Sequence, residues 1–220
     1  MSPTSAAWDG VGPPPGTPGG HSPASAPAVL RGRAWVFGDD ISTDHIAPGR
    51  LFHLRTDLPE LAKHVMEDAD PSFAASMAAG DIIVGGRNFG LGSSREHAPR
   101  IIKLAGVGAV LAQSFARIFF RNAINVGLPA LQCDTAGIMA GDELLVDLAA
   151  GEVRDLTSGS VIAFVPLPPV MVTILSDGGL VAHVQKHGGF ALPGTSTGGG
   201  GCRPASAGAA EDPTPPSCGR

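Results

Sequence analysis

The sequence predicts an α/β domain with a mixed sheet or barrel-like β core and flanking helices. Three observations carry this reading. Strand-like apolar runs alternate with helical periodicity as far as Cys133, short segments around glycine turns follow from Glu143 to Val165, and a Gly/Pro excess is concentrated at the two ends.

Ala34-Trp35-Val36-Phe37 is a short apolar run stopped by Gly38-Asp39-Asp40, which suits a first strand and a turn. Leu58 to Met66 follows Asp57, a good helix cap, with Pro59 at the first helical position and Leu61, Val65 and Met66 at helical spacing. Asp81-Ile82-Ile83-Val84 is a buried strand running into Gly85-Gly86 and the segment Asn88 to Gly92. Ile101, Ile102, Leu104 and Ala105 then share one helical face, and Gly106 with Gly108 ends that helix before the strand Ala109-Val110-Leu111. Ser114 caps a second helix through Phe115, Ile118, Phe119 and Ile124, closed by Gly127 and Pro129 ahead of the strand Ala130 to Cys133. Beyond it, Glu143 to Leu148 and Glu152 to Leu156 flank Ala149-Ala150-Gly151 as a hairpin, Val161 to Val165 adds a strand, and a last helix covers Leu180 to His187.

A chain of 220 residues suffices for one ordinary core, so one domain is expected. Its 31 Gly and 20 Pro approach a quarter of the residues and gather at the ends, so residues 1–28 and 191–220 read as disordered tails around a folded unit at 29–190. A net charge of -5, with Lys and Arg scattered singly, offers nucleic acid no basic field. No apolar run approaches the about 20 residues that span a bilayer, and the N-terminus lacks the order of a signal peptide, so a cytoplasmic protein without a membrane partner is expected. Cys133, Cys202 and Cys218 form neither a disulfide framework nor a Cys-x-x-Cys pair, so this chain is expected to hold no iron–sulfur cluster alone. His21, His53, His64, His183 and His187 show no Cys/His or His/carboxylate spacing of a metal site.

The densest polar cluster is Gly90-Leu91-Gly92-Ser93-Ser94-Arg95-Glu96-His97, between a buried strand and the start of a helix. Free backbone N–H groups and a partial positive charge at a helix start favour anions there. A serine hydroxyl acts as a base only if converging donors and a cation stabilise its anion, and Ser93 and Ser94 followed by Arg95 supply such a set. Arg95 can also grip a carboxylate in two-pronged fashion. The plainer alternative makes Ser93 a helix cap and the glycines turn formers. A phosphate cradle lacks its Gly-Lys-Ser/Thr ending, and a hydrolase elbow would need Gly where Arg95 stands.

Asn88 to Ala98, read as Asn-Phe-Gly-Leu-Gly-Ser-Ser-Arg-Glu-His-Ala, resembles the signature of the aconitase superfamily swivel domain, and specifically the small subunits of 3-isopropylmalate dehydratase and homoaconitase. The likeness continues through Gly38 to Ile46, Ala62 to Asp68 and Ser114 to Asn125, in the family's order. One departure is Leu91, where many relatives carry Cys, a residue that is not a cluster ligand in the family.

The resemblance implies a swivelling β/β/α domain that works only with a large subunit carrying a [4Fe–4S] cluster, as a heterodimer or heterotetramer, on a small di- or tricarboxylate. The reaction it implies is hydro-lyase isomerisation of 2-isopropylmalate to 3-isopropylmalate in leucine biosynthesis. Homoaconitase or a broad-specificity hydro-lyase of the 2,3-dimethylmalate type is the nearest alternative, and a non-catalytic anion-binding regulatory module the alternative of another class. Carried over by residue, Ser93 is the general base, Ser94 and Arg95 hold substrate carboxylate, and iron on the partner acts as Lewis acid on the departing hydroxyl. Leu51 to Thr56 lies where the family has its substrate-recognition loop, and Arg55 there suits a distal carboxylate or else is solvated. Asp44 and His45 are placed close behind the site, and His97, one turn into the helix, anchors the loop. Arg117 and Arg121, four apart on a helix, read as solvated or as contacts to the large subunit or an anion.

Overall fold

The computed structural model describes residues 29–93 and 95–189; both expected tails and Ser94 lie outside the described residues. Along the chain come β1 (Val29–Val36), α1 (Thr43–Ile46), a 3-10 segment (Gly49–Thr56), α2 (Leu58–Ala62), α3 (Phe73–Ser76), β2 (Ile82–Gly85), α4 (His97–Leu104) and β3 (Ala109–Ala112). They are followed by α5 (Arg117–Val126), β4 (Ala130–Gln132), β5 (Glu143–Asp147), β6 (Glu152–Asp155), β7 (Val161–Ala163), α6 (Pro169–Ser176) and α7 (Leu180–His187).

β1 joins two kinds of sheet. Its first residues, Val29 to Arg33, pair antiparallel with β5, and its last, Ala34 to Val36, pair parallel with β2. Seven strands result, in the order β4-β3-β2-β1-β5-β6-β7, parallel on one side of β1 and antiparallel on the other. The buried Asp81 carboxylate holds the junction, accepting from the Arg33 N–H at 3.1 Å, the Trp35 indole at 2.8 Å and the Ala78 N–H at 2.9 Å. Gly32 is required here, because a Cβ would run into the Gly80 carbonyl.

The expected barrel-like core is borne out at the sheet edges. An isolated antiparallel bridge joins Cys133, just past β4, to Phe164, just past β7, and the Val165 N–H donates to the Gln132 carbonyl at 2.8 Å. Side-chain alternation then makes two cores. Ile82, Val84, Leu111, Leu131, Leu144, Val146, Val153 and Phe164 pack together on one side, and Ile83 and Val110 meet Phe73, Ile101, Ile102 and Phe119 on the other. β2 and β3 are buried on every residue, because the helices cover one face and the antiparallel half of the sheet covers the other.

Several elements differ from expectation. Helix α2 stops at Ala62, because Met66 turns to a positive φ of 61° so that its N–H can reach the Ile46 carbonyl; the apolar spacing of Val65 and Met66 reports burial in turns. Asp57 does cap α2, accepting from the Glu60 N–H. Ser114 caps nothing: α5 starts at Arg117, and the Ser114 hydroxyl accepts from the Asn88 N–H at 2.8 Å. Helix α6 has no counterpart among the expected elements, since Val170, Val172, Thr173 and Ile174 are β-branched and its period is masked. Its Ile174 and Leu175 pack with Ile124 of α5.

Candidate functional site

The segment from β2 to α4 is shaped by what lies beneath it. Phe89 is fully buried, with its ring edge-on to Phe119 at 5.3 Å and to Phe115 at 6.1 Å. Its N–H donates to the Ser114 carbonyl and its carbonyl accepts from the Ala116 N–H, both at 2.9 Å. Asn88, Gly90 and Gly92 all take positive φ, and a Cβ on Gly90 would penetrate the Phe119 ring. The loop crown is stitched to the stretch before α1: Gly90 N–H donates to the Ile41 carbonyl at 2.7 Å, and Thr43 N–H to the Leu91 carbonyl at 2.8 Å. Arg87 pairs with Asp39, and the Asn88 amide donates to Asp40 at 3.0 Å, so the turn after β1 is tied to the same loop.

This geometry presents Ser93 to solvent with its Oγ 3.3 Å from Thr43 Oγ1, itself 2% exposed. Helix α4 starts only at His97, and its N-cap, Glu96, makes no side-chain cap bond. The expectation that Ser93 stands at the helix start is therefore corrected, and so is its alternative role as a cap. His97 is likewise the first helical residue rather than one turn in, because Pro99 suits an early helical position and His97 stands two residues before it.

Arg95 forms an ion pair with Asp44 of α1, and its guanidinium carbon lies 5.8 Å from the centroid of Phe52. Arg55 lies over the same ring at 4.4 Å and donates to the Phe52 carbonyl at 3.2 Å. The His97 ring stands 6.3 Å from Phe52. Burial, then the charges of Arg95 and Arg55, hold the His97 pKa below the usual imidazole value. His45 closes a capping box on α1: its N–H donates to Ser42 Oγ at 3.2 Å, and its Nδ1 accepts from the Ser42 N–H at 3.1 Å. Ser93, Arg95, Arg55, Asp44 and His97 are thus gathered on one side of the fold, with His45 anchoring the segment beneath them.

Three further residues belong to this neighbourhood. Arg117 and Arg121 line a cavity of about 380 Å³ together with Gly90, Gly92, Ser93 and Ile118, so α5 delivers them to the loop rather than to open surface alone. Phe52 was visible in sequence only as one apolar residue in a hexapeptide; its contacts reach across 43 positions to Arg95.

A second polar cluster gathers two of the histidines around a carboxylate. His183 and His187, four apart on α7, turn toward Asp177: His183 Nδ1 is 2.7 Å and His187 Nε2 2.9 Å from Asp177 Oδ2, while Lys186 donates to Oδ1 at 2.6 Å. Left-handed Gly178 and Gly179 fold Asp177 back beneath the helix, and the Asp-Gly-Gly ahead of two histidines at helical spacing was the available signal. The three groups have ligand atoms within 4.8 Å of one another. A metal is nonetheless a poor fit: the Lys186 ammonium already shares the carboxylate, and the buried His183 Nε2 has no partner, whereas a metal-bound imidazole has its second nitrogen tied down. The cluster is a clasp between α6 and α7.

The Lys186 hydrogen bond holds the Asp177 carboxyl down to about 2, against the opposing effect of burial and with help from His183 and His187. A depressed carboxyl contributes stability that is complete above its unfolded value and is lost as pH falls through the folded one. Asp177→Asn is therefore expected to lower the thermal midpoint at pH 7, and the gap from the parent to close as pH falls from about 4 to about 2. A gap independent of pH in thermal melts followed by circular dichroism would contradict the clasp.

The comparisons with known proteins come to the same fold and the same loop. Residues 56–136 match the aconitase C-terminal domain. A 3-isopropylmalate dehydratase small subunit of Archaeoglobus fulgidus is 65% identical over 157 residues, 71% of this chain and 95% of that protein. A methanogen homoaconitase small subunit of Methanothermobacter thermautotrophicus is 55% identical over 159 residues, 72% of this chain and 92% of that protein. The crystal structure of a 3-isopropylmalate dehydratase chain from Methanocaldococcus jannaschii superposes with a TM-score of 0.70 at 44% identity, covering 73% of this chain and 95% of that one. Among the described residues no helix is long and apolar enough to cross a membrane. With a matching domain model, a common fold and identity of this extent, the chain belongs to the aconitase-type small-subunit family of hydro-lyases that includes 3-isopropylmalate dehydratase and homoaconitase.

Proposed function

We propose that this chain is the small subunit of a 3-isopropylmalate dehydratase, interconverting 2-isopropylmalate and 3-isopropylmalate with a large subunit, and that Ser93 is its general base. The observation that carries the reading is the Ser93 hydroxyl, exposed at the end of a glycine loop, 3.3 Å from Thr43 Oγ1 and two residues before the Asp44-held Arg95. The Thr43 hydroxyl at hydrogen-bond distance, with Arg117 and Arg121 lining the same cavity as Ser93, supplies the polar and cationic surroundings that a serine oxygen needs to act as a base toward the carbon beside a carboxylate. Arg95 has five N–H donors and gives one nitrogen to Asp44, so donors remain for a substrate carboxylate. Ser94 next to it is assigned to the same carboxylate.

A cluster does not fit the described residues of this chain. Their one cysteine, Cys133, is buried, and burial with the Asp134 charge pushes its thiol up to about 11, far from the thiolate a cluster needs. The [4Fe–4S] group that the family resemblance implies is assigned to the larger partner, and this chain's share is proton transfer at Ser93 and the grip on carboxylate. A buried free thiol also suits a cytoplasmic setting.

The test is a steady-state assay of this chain alone and after reconstitution with a cluster-bearing large subunit. Turnover of isopropylmalate is expected in the pair alone. Activity without a partner overturns the reading, and carboxylate binding with an inert pair leaves the non-catalytic module. Arg55 on Phe52, with the homoaconitase relative at 55% identity, supports homoaconitate as a second substrate. Arg55→Val is expected to lower kcat/KM for homoaconitate about 10- to 100-fold, the size of a lost charge-assisted hydrogen bond, and to affect isopropylmalate far less. Equal losses on both would make Arg55 structural.

A further inference from the structure

Phe52 stands in a segment that does not need it for packing. Gly49–Thr56 contains no buried residue, and the Phe52 side chain is left 48% exposed. The segment is held near its start by Arg50, which pairs with Asp68 and, at 2.9 Å, with Glu67. Its tie to the serine loop is the Phe52 ring, which has the Arg55 guanidinium at 4.4 Å, the Arg95 guanidinium at 5.8 Å and the His97 ring at 6.3 Å.

Leu51 and Leu54 pack the segment against the core and leave Phe52, His53, Arg55 and Thr56 outward, where two guanidinium groups repel each other unless something draws both charges in. An aromatic face does so, because its quadrupole attracts a cation within about 6 Å of the centroid. The two distances together cap the separation of the guanidinium carbons at about 10 Å. Arg95 is further fixed by Asp44, and Arg55 by the Phe52 carbonyl, so the ring is the shared member of both attachments.

We propose that Phe52 is a positioning residue, an aromatic bridge that holds Arg55 and Arg95 as one two-point clamp for a substrate bearing two separated carboxylates. The inference rests on the proposed role of the Ser93 loop and adds to it the element that sets the clamp's reach. Phe52 touches no reacting atom. Its effect passes through the arginines, on binding rather than on proton transfer.

The experiment uses the reconstituted pair with homoaconitate as the substrate, since that is the ligand assigned to both arginines. Phe52→Leu is expected to raise KM about 5- to 10-fold, the combined loss of two exposed cation–ring contacts, with kcat within about twofold and an unchanged melting temperature. Phe52→Tyr, which keeps the ring face, restores KM. In an Arg55→Val background, Phe52→Leu adds less than it does alone, because one of its two clients has gone. An unchanged KM in Phe52→Leu, in a pair that Ser93→Ala inactivates, overturns the bridge and leaves the Ser93 reading standing. A fall in kcat and melting temperature that Tyr does not restore also overturns it, since that is a packing role. Full activity of Ser93→Ala removes the reading beneath the inference.

Discussion

Replacing Ser93 by alanine lowers kcat of the assembled pair about a thousandfold, within the 10²- to 10⁴-fold that general-base catalysis supplies, with KM little changed. The fold predicts that the protein tolerates this change. Ser93 is exposed, its hydroxyl has Thr43 as its partner, and it caps no helix, so removing one oxygen leaves the loop backbone where Phe89 and Ile41 hold it. Thermal melts and size-exclusion of the pair separate the outcomes. Unaltered assembly with lost turnover is expected, and full turnover would take Ser93 out of the chemistry.

Gly90→Ala acts on the same loop by another route and should have a large structural effect for a single methyl group. Gly90 has a φ of 79°, where an L-residue costs roughly 1–2 kcal/mol. The added Cβ would also enter the Phe119 ring, which is 2% exposed and cannot move without disturbing Phe89 and Phe115. Overpacking of that kind costs about 1–3 kcal/mol, so a combined loss of about 2–5 kcal/mol is expected. For a chain of this size that is a drop of about 5–20 °C in the thermal midpoint. Activity should fall together with it, since the same backbone carries Gly92 and Ser93. A midpoint within about 2 °C of the parent would mean that the loop rests on Phe119 far more loosely than the distances say.

Legibility in the sequence followed the range of the forces involved. Strands β2 and β3 and helix α7 announce themselves because their cues are local: unbroken apolar runs in the first two, and helical spacing closed by left-handed Gly188 in the third. Helix α6 escaped because β-branched residues carry a strand-like composition into a helix that packing on α5 stabilises. The serine loop was legible as a motif, whereas its distance from the helix start was not, since that depends on where α4 can begin. The family resemblance put Asp44 close behind the site, and the structure adds its ion pair with Arg95. Phe52 had no local signal at all; a ring at the surface acquires a role only when an arginine 43 residues away is folded beside it. The Asp177 clasp was missed, although Asp-Gly-Gly and two histidines one helical turn apart are all in the sequence, because only the fold shows the glycine pair turning the carboxylate under them.

The bridge between Cys133 and Phe164 bears on how the sheet edges meet other copies of the chain. An open seven-stranded sheet would expose two rows of unpaired amides, each a template on which another copy could add a strand. Here one bridge and the Val165 N–H bond to the Gln132 carbonyl turn the two edges toward each other just past β4 and β7, so at that corner another copy meets backbone that is already engaged.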